Sequence, residues 1–215
     1  MERPLPSFTM SNAGKQPYRC AIKSSTGYIA VKNHAGKIKV YRADDRPIEI
    51  PNSKEIVIWS CAQGASIDVE PETTGTIQSL VCSKNHLCEL EITGLPSLET
   101  LDCSHNDLDY LWLFGPSSSW HAGPRNLIFL DCSHNEIAEL DFSELPRIYA
   151  VNCSNNKLRR LRLGKALRNL ESLDCSNNRL SVIDLAGLVV LQSLNAKNNL
   201  ICSDRDEHTR DKFGL

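Results

Sequence analysis

A chain of 215 residues, 41% hydrophobic and 23% charged, has the make-up of one ordinary domain or one elongated repeat array. A net charge of −2 and a pI near 6.3 argue against a nucleic-acid partner, because phosphate binding needs a basic face. No apolar run approaches the length of a membrane span, so no membrane partner is expected either.

In chain order, residues 1–17 (MERPLPSFTMSNAGKQP) are polar and proline-bearing and lack an apolar h-region. They are expected to be a disordered N-terminus and not a Sec signal peptide, which favours a cytoplasmic location. The chain holds nine cysteines. In that compartment they are expected as reduced thiols, and an odd count leaves at least one unpaired in any case.

Residues 18–55 alternate apolar with polar or basic side chains in YRCAIK, GYIAVKN and GKIKVYRA, separated by the turn signals SSTG and NHAG. This predicts a small antiparallel β unit that caps whatever follows, since an open array end exposes apolar core and unpaired strand edge. The alternative is a separate unit with its own binding or catalytic role. It offers Cys20, His34, Asp44 and Asp45 but no assignable arrangement.

From 56 to 201 the chain repeats. The pattern L-x-x-L-x-C-S-x-N-x-L starts at Ile77, Leu98, Leu127, Ile148, Leu170 and Leu191, with steps of 21, 29, 21, 22 and 21. Stepping back another 21 reaches Ile56, where IVIWSCAQG places Trp59 and Cys61 but has Gly64 for the asparagine; this is a degenerate first repeat. Within each repeat the leucine and cysteine alternate with polar residues, the period of a half-buried strand. Stacking the repeats makes a parallel sheet. The asparagines Asn85, Asn106, Asn135, Asn156, Asn178 and Asn199 stand at the following turn, where an enclosed amide must find backbone partners. A second apolar–x–apolar segment follows in each repeat (Leu90–Ile92, Leu111–Leu113, Leu140–Phe142, Leu161–Leu163, Ile183–Leu185), read as a short extended piece under the first sheet. The remaining linkers are too short or too rich in proline and glycine for more than a turn. Residues 202–215 form a charged C-terminal cap or tail.

These repeats resemble the leucine-rich repeat family, with cysteine in place of the third leucine in six repeats and Ala196 in the last. Short repeats with this substitution look like bacterial leucine-rich repeat proteins, similar to internalins and secreted effectors. The resemblance implies an α/β-type leucine-rich repeat solenoid that is mostly parallel β, with an irregular convex side and little helix. It also implies a protein-recognition role through the concave face. Two alternatives remain open: a substrate-recognition arm of a bacterial effector whose catalytic part lies elsewhere, and delivery into a host cell by a dedicated secretion system.

The word LDCSHN, at 101–106 and 130–135, pairs a thiol with an imidazole. Nucleophilic catalysis is not expected from it. The cysteine faces the core, and Cys82, Cys153 and Cys175 recur beside Lys84, Asn155 and Asn177 where the histidine would stand. No metal, no cofactor and no catalytic residue are assigned. The outward positions carry the candidate partner-binding residues instead. Asp102, Asp131, Asn152 and Asp174 share one column, His105 and His134 share another, and Phe129 is a large aromatic among small residues. Trp120 lies with His121 in FGPSSSWHAGPRN (114–126), the insertion that makes the 29-residue step. A further column, His86, Asp107, Glu136, Lys157 and Arg179, runs from acidic to basic and would steer a partner or simply be solvated.

Overall fold

A computed structural model describes residues 78–92, 97–114, 123–165 and 167–201, apart from the side chains of Glu89 and Glu91, together with the strand paths of 21–32, 38–42 and 55–68. The predicted termini 1–17 and 202–215 lie outside the described residues, as do Cys20, His34, Asp44, Asp45, Trp120 and His121.

The chain winds as a β-solenoid. Its strands are β1 (Ala21–Lys32), β2 (Ile38–Arg42), β3 (Glu55–Asp68), β4 (Ser79–Val81), β5 (Leu87–Glu91), β6 (Thr100–Asp102) and β7 (Tyr110–Trp112). They continue with β8 (Phe129–Asp131), β9 (Glu139–Asp141), β10 (Ala150–Asn152), β11 (Arg160–Arg162), β12 (Ser172–Asp174) and β13 (Ser193–Asn195). Strands β4, β6, β8, β10, β12 and β13 pair in parallel, each three-residue strand in register with the next. Leu80, Leu101, Leu130, Val151, Leu173 and Leu194 therefore form one buried column. The 29-residue step leaves this register untouched, with Thr100 opposite Phe129.

The second apolar segment forms its own parallel pairs, β5 with β7 and β9 with β11. These two pairs are not joined, and the break falls at the insertion. Linkers between repeats are turns, and no helix occurs among the described residues. None is long and apolar enough to cross a membrane.

The first turn departs from the expected alignment. Ile56 pairs with Leu80, a step of 24 where the repeat period predicts 21, so Trp59 and Cys61 are not in register with Leu80 and Cys82. The cause is the missing asparagine at Gly64: with no amide to close the turn, β3 runs for 14 residues. Likewise, β1 passes straight through SSTG as one irregular strand, where the sequence predicts a turn. Partners on both of its edges outweigh the turn signal. It is antiparallel to β3 on one side and to β5 on the other, and β2 pairs back onto it.

Between the two layers lies a core of leucine, isoleucine and cysteine. Cys82, Cys103, Cys132, Cys153 and Cys175 are fully buried, and Ala196 continues their column. In-register parallel strands hold successive Cβ atoms about 4.8 Å apart, too far for the approach near 3.8 Å that a disulfide prefers. Cysteine serves here as a small hydrophobe.

Asn106, Asn135, Asn156, Asn178 and Asn199 each fasten their turn to the previous one. Asn106 Nδ2 donates to the carbonyls of Cys103 (2.9 Å) and Ser104 (3.2 Å) in its own repeat and of Cys82 (2.9 Å) in the one before. Its Oδ1 accepts from the backbone N–H of Asn85 and Leu87. Asn135, Asn156, Asn178 and Asn199 reach the same carbonyls of their own and preceding repeats. They accept from the N–H of Leu108, Ile137, Leu158 and Leu180 respectively. A buried donor or acceptor left without a partner costs about 1–3 kcal/mol. Asn156→Ala strands several at once and is expected to lose about 3 kcal/mol or more, read as a lowered urea midpoint by circular dichroism. Asn169→Ala, which removes only the exposed bond to the Pro146 carbonyl, should stay within about 0.5 kcal/mol of wild type.

Candidate recognition face

Strands β4, β6, β8, β10, β12 and β13 turn their middle residue inward, so their two flanking residues face outward. They build one column of Ser79, Thr100, Phe129, Ala150, Ser172 and Ser193 and another of Val81, Asp102, Asp131, Asn152, Asp174 and Asn195. Just before the strands runs a rim of Gln78, Glu99, Ile128, Tyr149, Glu171 and Gln192, in which each residue after Gln78 donates its backbone N–H to the carbonyl of the residue one repeat earlier.

The aspartates of the second column have local work. Asp102 Oδ1 accepts from the N–H and the hydroxyl of Ser104 (3.0 and 2.8 Å), and Asp131 and Asp174 repeat this with Ser133 and Ser176. This local turn explains why Ser follows Cys in the motif. Stacked like charges are unfavourable, and the asparagines relieve them. Asn152 Nδ2 donates to Asp131 Oδ2 (3.3 Å) and Asn195 Nδ2 to Asp174 Oδ2 (2.9 Å).

At the motif position before the asparagine, His105, His134, Asn155, Asn177 and Asn198 all hold φ between +53° and +58°. Few residues tolerate this left-handed backbone; Asn, Asp and His are enriched there. The histidine of LDCSHN is thus selected by the turn. The side chains stack outward: His105 and His134 lie ring on ring at 4.1 Å and 8°, and Asn155 Nδ2 meets His134 Nε2 at 3.3 Å. Cys103 and Cys132 point into the core while these imidazoles stand in solvent, so no thiol–imidazole pair forms. No group of three His, Cys, Asp or Glu side chains suited to a metal occurs among the described residues.

Of the residues nominated from sequence, the face brings together Asp102, Phe129, Asp131, Asn152 and Asp174, with His105 and His134 at its far edge. Phe129 is 47% exposed and meets the ring of Tyr149, 40% exposed, edge-on at 5.8 Å. Tyr149 donates its hydroxyl to Glu171 Oε2 (2.8 Å), which also accepts from Gln192 Nε2 (3.0 Å). That hydrogen bond and the carboxylate charge push the Tyr149 phenol above its usual pKa. Sequence reading missed Tyr149, Ile128 and Glu171 because it followed the strand positions and not the rim one residue earlier. It also missed Tyr110, which stacks on Trp112 at 6.0 Å on the exposed side of β7.

The graded charge column does not form a free steering field. His86 pairs with Asp107 (3.1 Å) and Lys157 with Glu136. The basic stretch 159–162 lies against β9, where Arg160 meets Glu139 (3.4 Å) and Arg162 meets Asp141 (3.7 Å).

The Leucine Rich Repeat family profile matches residues 169–189, the repeat built on β12. The strand, turn and buried asparagine of that repeat recur along the solenoid, so the chain carries leucine-rich repeats. Similar solved structures include the functional domain of InlJ from Listeria monocytogenes, described as including a cysteine ladder, at 23% identity over 75% of this chain and 42% of that one, with a TM-score of 0.41. Others are a leucine-rich repeat protein of Leptospira interrogans (21% identity, 68% of this chain and 44% of that one, TM-score 0.48) and YopM of Yersinia enterocolitica (27%, 60% and 31%, TM-score 0.44). The chain spans less than half the length of each of these three. No curated protein matches it.

Two outcomes follow from this geometry. His134→Asn, matching Asn155 in the next leucine-rich repeat, should melt with wild type, while the β-branched His134→Val should lose about 1–2 kcal/mol; equal stabilities would contradict the backbone explanation. The buried thiols set a pH dependence. Burial, reinforced by Asp174, pushes Cys175 from 9.0 up to about 12, and desolvation pushes Cys103, Cys132 and Cys153 well above the usual thiol range. Below pH 9 the folded and unfolded chains both hold these protons and stability is fully present. Between pH 9 and 12 the unfolded chain releases protons that the fold keeps, so stability falls as pH rises. Urea midpoints should drop between pH 9 and 11, and the drop should shrink when Cys132, Cys153 and Cys175 are replaced by alanine.

Proposed function

We propose that this leucine-rich repeat module binds a partner protein through the concave face of its long parallel sheet and performs no chemistry of its own. The observation that carries this reading is the exposed Phe129–Tyr149 pair at mid-array, on a face made mostly of small and polar residues. Exposed aromatics surrounded by polar positions are where binding energy concentrates. Solenoids use such extended surfaces for recognition. The many carboxylates of this face disfavour a nucleic-acid backbone as the partner.

We assign β1 and β2 to closing the first turn, on the strength of the β1 pairings with both β3 and β5. The Phe129–Tyr149 reading is tested by quantifying capture of a bound protein by wild type, Phe129→Ala, Tyr149→Ala and the control Val189→Ala, whose side chain is exposed away from the face. Each aromatic variant should weaken binding about thirtyfold, the effect of losing about 2 kcal/mol at a hot spot, with the control unchanged. Equal capture by all four would remove the face from the function.

A further inference from the structure

The open face and its rim segregate charge. From Gln78 to Asn195 its three columns carry Glu99, Asp102, Asp131, Glu171 and Asp174 and not one lysine or arginine. The cations of the described residues lie elsewhere, several in cross-repeat pairs: Lys157 with Glu136, Arg125 with Glu144, Arg160 with Glu139, and Arg162 with Asp141. The carboxylates are also held in place. Glu171 is bridged by Tyr149 and Gln192, and Asp131 and Asp174 each take a bond from the neighbouring asparagine on one oxygen and from serine on the other. Fixed negative charge around an exposed aromatic pair is complementary to one kind of partner.

Spacing makes that partner specific. Along the rim the order is Glu99, Ile128, Tyr149, Glu171, one residue per repeat. Adjacent strands stand about 4.8 Å apart, so Glu99 and Glu171, three strands apart, are separated by about 14 Å with the apolar patch between them. In an extended peptide, residues i and i+4 are about 13 Å apart and lie on the same side as i+2. We infer that the face binds an extended segment of a partner protein with the pattern basic–x–apolar–x–basic, its apolar side chain on Phe129 and Tyr149 and its two cations at Glu99 and Glu171. The segment crosses the strands, following the solenoid axis. This rests on the recognition role proposed for the same face.

The probe is a random linear peptide library displayed on phage and selected on the intact chain, with every binder re-measured as a synthetic peptide against Phe129→Ala and the double variant Glu99→Gln/Glu171→Gln. The expected consensus has Lys or Arg two residues on either side of Leu, Ile, Met or an aromatic. Its binding should fall about thirtyfold with Phe129→Ala and about fivefold with the double variant, the scale of two solvent-exposed ion pairs. Moving one cation by a single residue should cost about twofold, the share of one ion pair, since its side chain then leaves the face. Binders that need Phe129 but show no flanking cations, or ignore the double variant, would overturn the motif and leave the recognition face standing. A selection with no Phe129-dependent binder would overturn both.

Discussion

The solenoid depends on one hydrogen-bonded amide, repeated. From Asn106 to Asn199 each ladder asparagine holds the carbonyl that follows its own strand and the matching carbonyl one repeat earlier, and accepts an N–H from that earlier repeat. No other side-chain type offers two donors and an acceptor in so short a reach. Three features come from this bond: the strand stops at three residues, the residue before the asparagine is driven to positive φ, and consecutive repeats lock in register. The first turn supplies the contrast, because Gly64 has no amide to offer and β3 runs on for 14 residues with a different register.

Register then decides chemistry. Whatever stands at one motif position is stacked directly beside its counterpart, so the sequence column becomes a physical column about 4.8 Å in period. Inward, that arrangement packs leucine on leucine and thiol on thiol, and desolvation keeps the thiols protonated. Outward, it would pile aspartate on aspartate. Asn152 and Asn195 interrupt the stack as donors, and Ser104, Ser133 and Ser176 occupy one oxygen of each carboxylate. What remains among the described residues is a face whose negative charge is fixed in position, with Ile128, Phe129 and Tyr149 as its mid-array apolar patch.

The repeat and its inward and outward faces were legible in the sequence because periods of 2 and about 21 are visible in the letters. The structural meaning of the histidine in LDCSHN was not, since positive φ leaves only a compositional trace: His, Asn and Lys at one position. The rim was overlooked for a similar reason. Tyr149 and Glu171 precede the strand, and their partnership becomes visible only once Ile148 and Leu170 are stacked. The charge column read from His86 to Arg179 was correct as a series of residues, yet pairing between adjacent repeats changes its sense, because each acid finds a cation or imidazole about one period away. The long β3 and the uninterrupted β1 could not be read from local turn signals, since both arise from pairing between distant segments.

The central claim, that the asparagine amides set the coil, is tested most directly by native-state hydrogen exchange at the N–H groups of Leu108, Ile137, Leu158 and Leu180. All four donate to an asparagine Oδ1 inside a turn that makes no sheet pairing of its own. The account predicts that they exchange as slowly as the strand amides of Val151 and Leu173, opening only when a whole repeat unfolds. Exchange at the rate of an exposed loop amide such as Ala186 would contradict it.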